Sequence, residues 1–143
     1  GLAGFQIYGA EDMYGLGASV GHCDINGDNI SDLFITSTAG IGSITIIYGQ
    51  NSSFAASFSD IDLSLPLPKY RGFTLHGPKA MTGESKAVSC IGDVNNDGIQ
   101  DLAVAAANAS IVHILFGARK QFHDTYWNNF TTSPSTGKEK LIT

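Results

Sequence analysis

The sequence predicts an all-β protein made of two four-stranded antiparallel sheets, and three observations support this prediction. Short stretches rich in β-branched and aromatic residues alternate with clusters of Gly, Asn, Asp and Ser, which is the pattern of strands separated by turns. Several of these stretches are apolar at nearly every position, which indicates sheets that are covered on both faces. The second half of the chain also repeats the pattern of the first half, so the same set of strands is expected twice.

The repeat defines two copies of one unit. Gly4-Phe5 aligns with Gly72-Phe73, and three further pairs keep the same offset. These pairs are Tyr8-Gly9 with His76-Gly77, Tyr48-Gly49 with Phe116-Gly117, and Phe54 with Phe122. The predicted domains are residues 1–71 and residues 72–143, and each is one repeat followed by a longer connector or linker.

Each copy is predicted to contain four strands. Those of the first copy are Phe5–Tyr8, Ala18–Cys23, Leu33–Thr38 and Ser43–Tyr48. Those of the second copy are Phe73–His76, Ala87–Ile91, Leu102–Ala107 and Ile111–Phe116. Because the connections are short, neighbouring strands are expected to run antiparallel. A four-stranded antiparallel sheet covered on both faces by its neighbours is a blade of a β-propeller, so we expect two blades of a β-propeller-like array.

Two acidic windows lie between strands at equivalent places in the copies. Six of the thirteen acidic residues fall in Asp24–Asp32 and Asp93–Asp101, which share the pattern D-x-N-x-D-[GN]-I-x-D. Oxygen groups at alternate positions of a tight loop suit a hard cation such as Ca²⁺, whereas Mg²⁺ fits less well. One divalent cation in each loop would change the formal charge from −5 to −1. The windows therefore predict two calcium sites, with a metal-free pair of Asx-rich turns as the alternative.

These windows differ from an EF-hand loop. An EF-hand carries a bidentate Glu at its twelfth position, where this chain has Ile35 and Val104. The sixth position must turn sharply and is expected to have a positive φ, which Gly98 accepts freely and Asn29 tolerates. We therefore expect a loop that lies between two strands and is closed by the Asp at its ninth position.

Together these motifs resemble the FG-GAP repeat of the N-terminal β-propellers of integrin α-subunits. The likeness rests on G-F-x-[IL]-x-G at the start of each copy, on the acidic loop, and on an apolar strand that ends in Phe-Gly. The chain departs from the family in having Tyr48-Gly49 as its first Phe-Gly, in lacking the Gly-Ala-Pro element, and in having two blades where family propellers usually close with seven. The resemblance implies the following calcium ligands, the two Ile through their backbone carbonyls: Asp24, Asn26, Asp28, Ile30 and Asp32, and Asp93, Asn95, Asp97, Ile99 and Asp101.

Charge and sequons bear on partners and compartment. The net charge is −5 and the eight basic residues are scattered, which argues against nucleic acid and anionic lipid as partners. No run of 18 apolar residues is present, so no membrane insertion is expected. Four of the eight asparagines lie in N-x-S/T sequons, where about one would be expected by chance: Asn29, Asn51, Asn108 and Asn129. The excess predicts an extracellular, secreted or cell-surface glycoprotein, and a start at Gly1 without Met fits a processed or fragment start.

Other reactive residues are assigned structural roles. Cys23 and Cys90 are expected to be packed free thiols, with a bridge between adjacent strands as the less favoured alternative. Residues 17–21 fit the G-x-S-x-G pattern of a nucleophile elbow, but an acidic loop follows where that elbow requires a helix. His113 lies in an apolar strand and is expected to be structural. A cluster predicted to be buried, with a carbohydrate or protein contact as the alternative, comprises Phe122, Tyr126, Trp127 and Phe130.

The function predicted from these features is a non-enzymatic, calcium-binding FG-GAP module of an extracellular adhesion or surface-structural protein. A propeller accessory to a secreted hydrolase and a sugar-binding lectin are the alternatives. Two blades cannot close a ring of the usual size, so other FG-GAP blades are the expected partners. They would come from a longer array or from copies that associate head to tail into a ring or a filament. The expected ligand is an extracellular protein or glycan.

Overall fold

The part of the chain that the structure describes contains nine β-strands arranged in three sheets. The computed structural model describes residues 4–10, 15–38, 42–51, 59–76, 86–106 and 111–119. The strands in these ranges are β1 (Ile7–Tyr8), β2 (Leu16–Cys23), β3 (Asp32–Ser37), β4 (Ser43–Ile47), β5 (Ile61–Asp62), β6 (Gly72–His76), β7 (Lys86–Gly92), β8 (Asp101–Ala106) and β9 (Ile111–Leu115). Within these described ranges there is no helix of the length and apolar character that crossing a membrane requires. The all-β prediction is confirmed.

The strands lie close to their predicted positions, with one addition. All eight predicted strands are present among the nine, with ends that differ by one or two residues. The additional strand is β5, which pairs in parallel with β1 through Ile7 opposite Ile61 and Tyr8 opposite Asp62. A two-residue strand has no periodicity of its own, so no pattern in the sequence indicated it.

The largest sheet takes its fourth strand from the second copy. Its strand order is β2-β3-β4-β6, and every pair in it is antiparallel. The prediction of two four-stranded blades is not confirmed, because β1 lies outside this sheet and the described part of the second sheet is β7-β8-β9. The glycine at position 72 allows the backbone of β6 to lie close beside the backbone of β4. Gly72 has a φ of 150° and comes so close to the Ile46 carbonyl oxygen that a Cβ there would collide with it.

The main core lies between the two larger sheets. It joins buried side chains from both sheets: Cys23, Ile25, Phe34, Ile44, Ile46, Tyr48, Phe73, Leu75, Val88, Leu102 and Val104. A second cluster covers the other face of the first sheet, where Ile35, Ile47 and Ile61 are buried and Phe5 and Ile7 pack against them. The first sheet is therefore covered on both faces, as the apolar composition of β4 predicts.

A disulfide joins the two larger sheets. Cys23 at the end of β2 is bonded to Cys90 in β7, and their Cα atoms are 5.6 Å apart. The expectation of packed free thiols was wrong, and the bridge between adjacent strands is the correct alternative. β2 and β7 are in direct contact with each other, which brings the two Cα atoms into the range that a disulfide needs. The sequence could not supply that distance, because it depends on how the sheets pack.

Candidate functional site

The two acidic windows form loops of the same kind at equivalent places in the two larger sheets. The first loop, Asp24–Asp32, connects β2 to β3, and the second loop, Asp93–Asp101, connects β7 to β8. In each loop the last Asp is also the first residue of the strand that follows. The geometry of the loops can therefore be compared position by position.

The first loop is held by its own carboxylates. Asp24 Oδ1 accepts a hydrogen bond from the Gly27 amide at 2.8 Å, and Asp24 Oδ2 accepts one from the Asn29 amide at 2.9 Å. Asp28 Oδ1 accepts one from the Ile30 amide at 2.8 Å. These are the interactions of Asx turns, in which a short acidic side chain satisfies the backbone of a tight loop.

The second loop repeats this pattern at the matching positions. Asp93 Oδ2 accepts a hydrogen bond from the Gly98 amide at 2.7 Å, and Asp97 Oδ1 accepts one from the Ile99 amide at 2.9 Å. The third-position asparagine also behaves alike in both loops, since Asn26 Nδ2 donates to Asp28 at 3.1 Å and Asn95 Nδ2 donates to Asp97 at 2.8 Å. Two loops in different halves of the chain thus adopt one conformation.

Left-handed residues give both loops their tight curvature. The expected positive φ at the sixth position is confirmed, with 65° at Asn29 and 85° at Gly98. The fourth position is also left-handed in both loops, with 71° at Gly27 and 60° at Asn96. This second turn was missed, although Gly and Asn at matching places were its signal, because both residue types tolerate positive φ.

The closing aspartate of the first loop is buried and ties the loop to the sheet. Asp32 Oδ2 accepts a hydrogen bond from the Ile25 amide at 3.1 Å, and Asp32 Oδ1 accepts one from the Gly49 amide at 2.9 Å. Burial raises the pKa of Asp32 to about 6, and the negative charges of Asp28 and Asp24 also raise it, although the two amides oppose the shift. A cation in the loop would favour the ionised form of this carboxylate.

The closing aspartate of the second loop makes the same connections. Asp101 is fully buried, and its Oδ2 accepts a hydrogen bond from the Val94 amide at 2.8 Å. Its Oδ1 accepts one from the Gly117 amide at 2.8 Å. Each closing aspartate therefore binds one amide of its own loop and one amide just beyond the third strand of its sheet.

This contact gives a physical role to the glycine of the Tyr-Gly and Phe-Gly motifs. A Cβ at Gly49 would collide with the Ser31 carbonyl oxygen, and a Cβ at Gly117 would collide with the Gln100 carbonyl oxygen. Only glycine lets the chain come close enough to the loop to donate to the buried carboxylate. Sequence reasoning recorded these glycines as part of a motif but did not identify them as hydrogen-bond donors to the site.

The first loop also contacts the second copy directly. The Asp24 amide donates to Gln100 Oε1 at 2.8 Å, and the Gln100 amide donates to the Asp24 carbonyl oxygen at 3.2 Å. The Ala118 amide donates to the carbonyl oxygen of Ile25, whose side chain is buried in the main core. Ordering the first loop therefore supports the contact between the sheets as well as its own hairpin.

The chemistry of the donor set fits a calcium ion. Each loop offers carboxylate oxygens at positions 1, 5 and 9, an amide oxygen at position 3 and a carbonyl oxygen at position 7, which are the ligand types that Ca²⁺ takes. Among the described residues, no three side chains of His, Cys, Asp or Glu are gathered as a metal cage. One reason is that the acidic side chains of the loops accept hydrogen bonds from loop amides. Another is that the predicted ligands at positions 3 and 7 of each loop are Asn and Ile, which are not among these four residue types.

The remaining predicted residues lie apart from the loops or outside the described ranges. Ser19 lies within β2, and its amide donates to Thr36 Oγ1 at 2.8 Å, so the G-x-S-x-G stretch is a strand. Asn51 is exposed after β4, and Asn29 is exposed in the first loop. Outside the described residues lie Asn108, Asn129 and the predicted aromatic cluster Phe122, Tyr126, Trp127 and Phe130.

Comparison with known proteins agrees with the class of fold. Antiparallel sheets that share one hydrophobic core, with an acidic loop repeated between their first two strands, are consistent with a propeller-like repeat array. Residues 87–115 match the family model of the FG-GAP repeat. The match extends from β7 through the second loop to the end of β9, so the FG-GAP resemblance is confirmed for these residues. No curated protein matches the chain.

Proposed function

We propose that the chain is a non-catalytic, calcium-binding module of the FG-GAP type within an extracellular adhesion or surface-structural protein. The observation that carries this proposal is the matching hydrogen-bond pattern of the two loops. Each loop gathers three carboxylates in one short window and fixes its shape through left-handed turns and a buried closing aspartate. Repetition of this arrangement in both copies is better explained by a shared ligand than by two independent turns.

Calcium would stabilise the module by neutralising the carboxylates. Burial of Asp32 increases the cost of its charge, and the negative charges of Asp28 and Asp24 in the same loop increase it further. Bound Ca²⁺ would supply the opposite charge, with the residues at positions 1, 3, 5, 7 and 9 of each loop as its ligands. The loops would then hold the hairpins, and through Gln100 and Ala118 the sheet contact, in one arrangement.

We expect millimolar calcium to raise the melting temperature of the chain. Extracellular calcium modules have dissociation constants of about 10⁻⁴ to 10⁻³ M, so ten times that concentration stabilises each site by roughly 1.4 kcal/mol. Calorimetry in excess chelator and in calcium measures this shift, and titration calorimetry counts about two ions per chain. Magnesium at the same concentration should give a smaller shift.

A double variant at two exposed predicted ligands provides the control for the calcium-dependent shift. Asp28→Ala with Asp97→Ala removes one carboxylate from each loop, and neither residue is buried. This double variant should fold in chelator and lose most of the calcium-dependent shift. Melting curves of the unaltered chain that coincide in chelator and in calcium would contradict the proposal.

The extracellular setting is supported by the disulfide and by the sequons. Disulfides persist in oxidising compartments, and Cys23–Cys90 is a bond of this kind. The partners of such a module are other FG-GAP blades, and its ligand is an extracellular protein or glycan.

A glycosylation difference between two described sequons tests this setting. Asn51 is exposed and follows a strand, so we expect it to be glycosylated when the chain passes through a eukaryotic secretory pathway. Asn29 is expected to show lower occupancy, because its backbone is left-handed and its amide is bound to Asp24. Intact mass before and after deglycosylation, compared for Asn51→Gln and Asn29→Gln, measures this. Equal occupancy at both sites, or a bare protein, would be the contrary result.

A further inference from the structure

The two acidic loops are in direct contact with each other. Gln100 lies at the eighth position of the second loop, between the predicted ligands Ile99 and Asp101. Its side-chain Oε1 accepts a hydrogen bond from the Asp24 amide at 2.8 Å, and its own amide donates to the Asp24 carbonyl oxygen at 3.2 Å. Asp24 is the first predicted ligand of the first loop. One residue of the second loop therefore holds the backbone of a predicted ligand in the first loop.

Two consecutive residues join the loops from outside. Gly117 and Ala118 lie just after β9, and their amides bind different loops. The Gly117 amide donates to Asp101 Oδ1, in the closing aspartate of the second loop, at 2.8 Å. The Ala118 amide donates to the Ile25 carbonyl oxygen of the first loop at 2.9 Å. Because the two amides are neighbours in the chain, a displacement of one loop moves the donor that the other loop uses.

The loops also pack against each other. A Cβ placed on Gly27, at the fourth position of the first loop, would lie 3.1 Å from Cγ1 and 3.3 Å from Cδ1 of Ile99. The side chain of Ile99 is buried, and its carbonyl is the predicted ligand at the seventh position of the second loop. The left-handed turn of the first loop therefore lies directly against a ligand residue of the second loop.

The disulfide holds one end of this contact. Cys23 directly precedes the first loop, and its partner Cys90 lies in β7, the strand before the second loop. Cys90 Sγ lies 3.7 Å from Gln100 Oε1, and Cys23 Sγ lies 3.7 Å from the Asp101 carbonyl oxygen. The bond keeps the two loops side by side when a hydrogen bond between them is removed. Replacing Gln100 therefore tests communication between the loops without separating the sheets.

The equivalent position of the first loop provides a natural control. Ser31 stands at the eighth position of that loop, where the second loop has Gln100. Its side chain is shorter than that of glutamine and is exposed. Neither residue is a predicted ligand, so a change at either one leaves both ligand sets intact.

These contacts determine how one bound ion affects the other loop. An ion that fixes one loop also fixes the hydrogen-bond partners of the other, so the second ion has less backbone to order and binds more tightly. The charge of the first ion acts in the opposite direction, because it makes the surroundings of the second loop less negative. Exposed charges are largely screened beyond roughly 8 Å at about 0.15 M salt, so we expect the ordering effect to be the larger one.

We propose that the two loops bind calcium cooperatively and that Gln100 is the positioning residue that couples them. The coupling is reciprocal, so an ion in either loop raises the affinity of the other by the same factor, about five-fold or more. The module then changes between its metal-free and two-ion forms over a narrow range of calcium concentration. This inference rests on the proposed calcium-binding function, since it concerns the regulation of the same two sites.

Titration calorimetry with calcium tests the coupling. The unaltered chain gives the product of two association constants, whereas Asp28→Ala and Asp97→Ala should each bind one ion and give the constant of the remaining loop. The product for the unaltered chain should exceed the product of the two single-loop constants by about five-fold or more. A ratio close to one, with both loops filled, would overturn this inference and leave the calcium-binding module intact. Absence of calcium binding by the unaltered chain would overturn both.

The same three titrations in a Gln100→Ala background test the role of this residue. The ratio should fall to about one, and Ser31→Ala in its place should leave the ratio of the unaltered chain unchanged. Gln100→Glu should keep most of the ratio, because its side chain still offers an oxygen to the Asp24 amide. Charges at the loops are the same in the Gln100→Ala set as in the original set, so a lower ratio there does not come from charge. A ratio that Gln100→Ala leaves unchanged would overturn the proposal.

Discussion

Loss of the Cys23–Cys90 bond is expected to lower the free energy of unfolding by about 4 kcal/mol. The two cysteines are 67 residues apart in the sequence, so the bond restricts a long loop in the unfolded chain. It also joins β2 to β7, two strands that belong to different sheets and are in direct contact. The total stability of a domain of this size is roughly 10 kcal/mol, so the bond contributes a large fraction of it.

Urea unfolding in the presence and absence of a reductant measures this effect. The reduced chain is the better comparison, because it keeps both sulfur atoms in the core and changes only the bond. Cys23→Ala with Cys90→Ala is the matched variant, and it should respond to urea in the same way with or without reductant. A reduced chain that loses less than about 1 kcal/mol would show that packing of the sheets, and not the bond, holds the two copies together.

The strands and loops could be predicted well from the sequence because their signals are local. Apolar β-branched runs such as Ile44–Ile47 form strands wherever both faces are covered, and the acidic pattern fixes its own turns through short side chains. The sequence predicted that the aspartate at the ninth position closes each loop, and in the structure both aspartates are buried and accept a hydrogen bond from an amide of their own loop. The left-handed turn at Asn29 and Gly98 was predicted for the same local reason.

Features that depend on distant parts of the chain could not be predicted in the same way. The pairing of β6 with β4 crosses the boundary between the copies, and the long stretch between Ile47 and Gly72 carries no hairpin signal. The disulfide depends on how β2 packs against β7, which follows from the sheet contact.

In excess chelator, Asp101→Ala is expected to lower the free energy of unfolding by about 2 to 4 kcal/mol, whereas Asp97→Ala should change it by less than about 1 kcal/mol. Asp101 is fully buried and accepts hydrogen bonds from the Val94 and Gly117 amides, so alanine leaves two donors without their acceptor. Asp97 is exposed, and water can replace its carboxylate. The two aspartates belong to one loop and to one predicted ligand set, but only one of them holds the sheet.

The effect of Asp97→Ala should appear in the calcium-dependent melting shift and not in the stability measured in chelator. Added to the Asp97→Ala chain, calcium should give a smaller melting shift than in the unaltered chain, because a ligand has been removed from a loop that is otherwise intact. If Asp101→Ala folds poorly, Asp101→Asn can be measured in its place. The amide oxygen of this asparagine still accepts one of the two hydrogen bonds. Urea unfolding in chelator and in calcium gives all of the unfolding free energies. Equal losses for Asp97→Ala and Asp101→Ala in chelator would mean that burial of the closing aspartate contributes nothing to the fold, and that its place in the loop reflects metal binding alone.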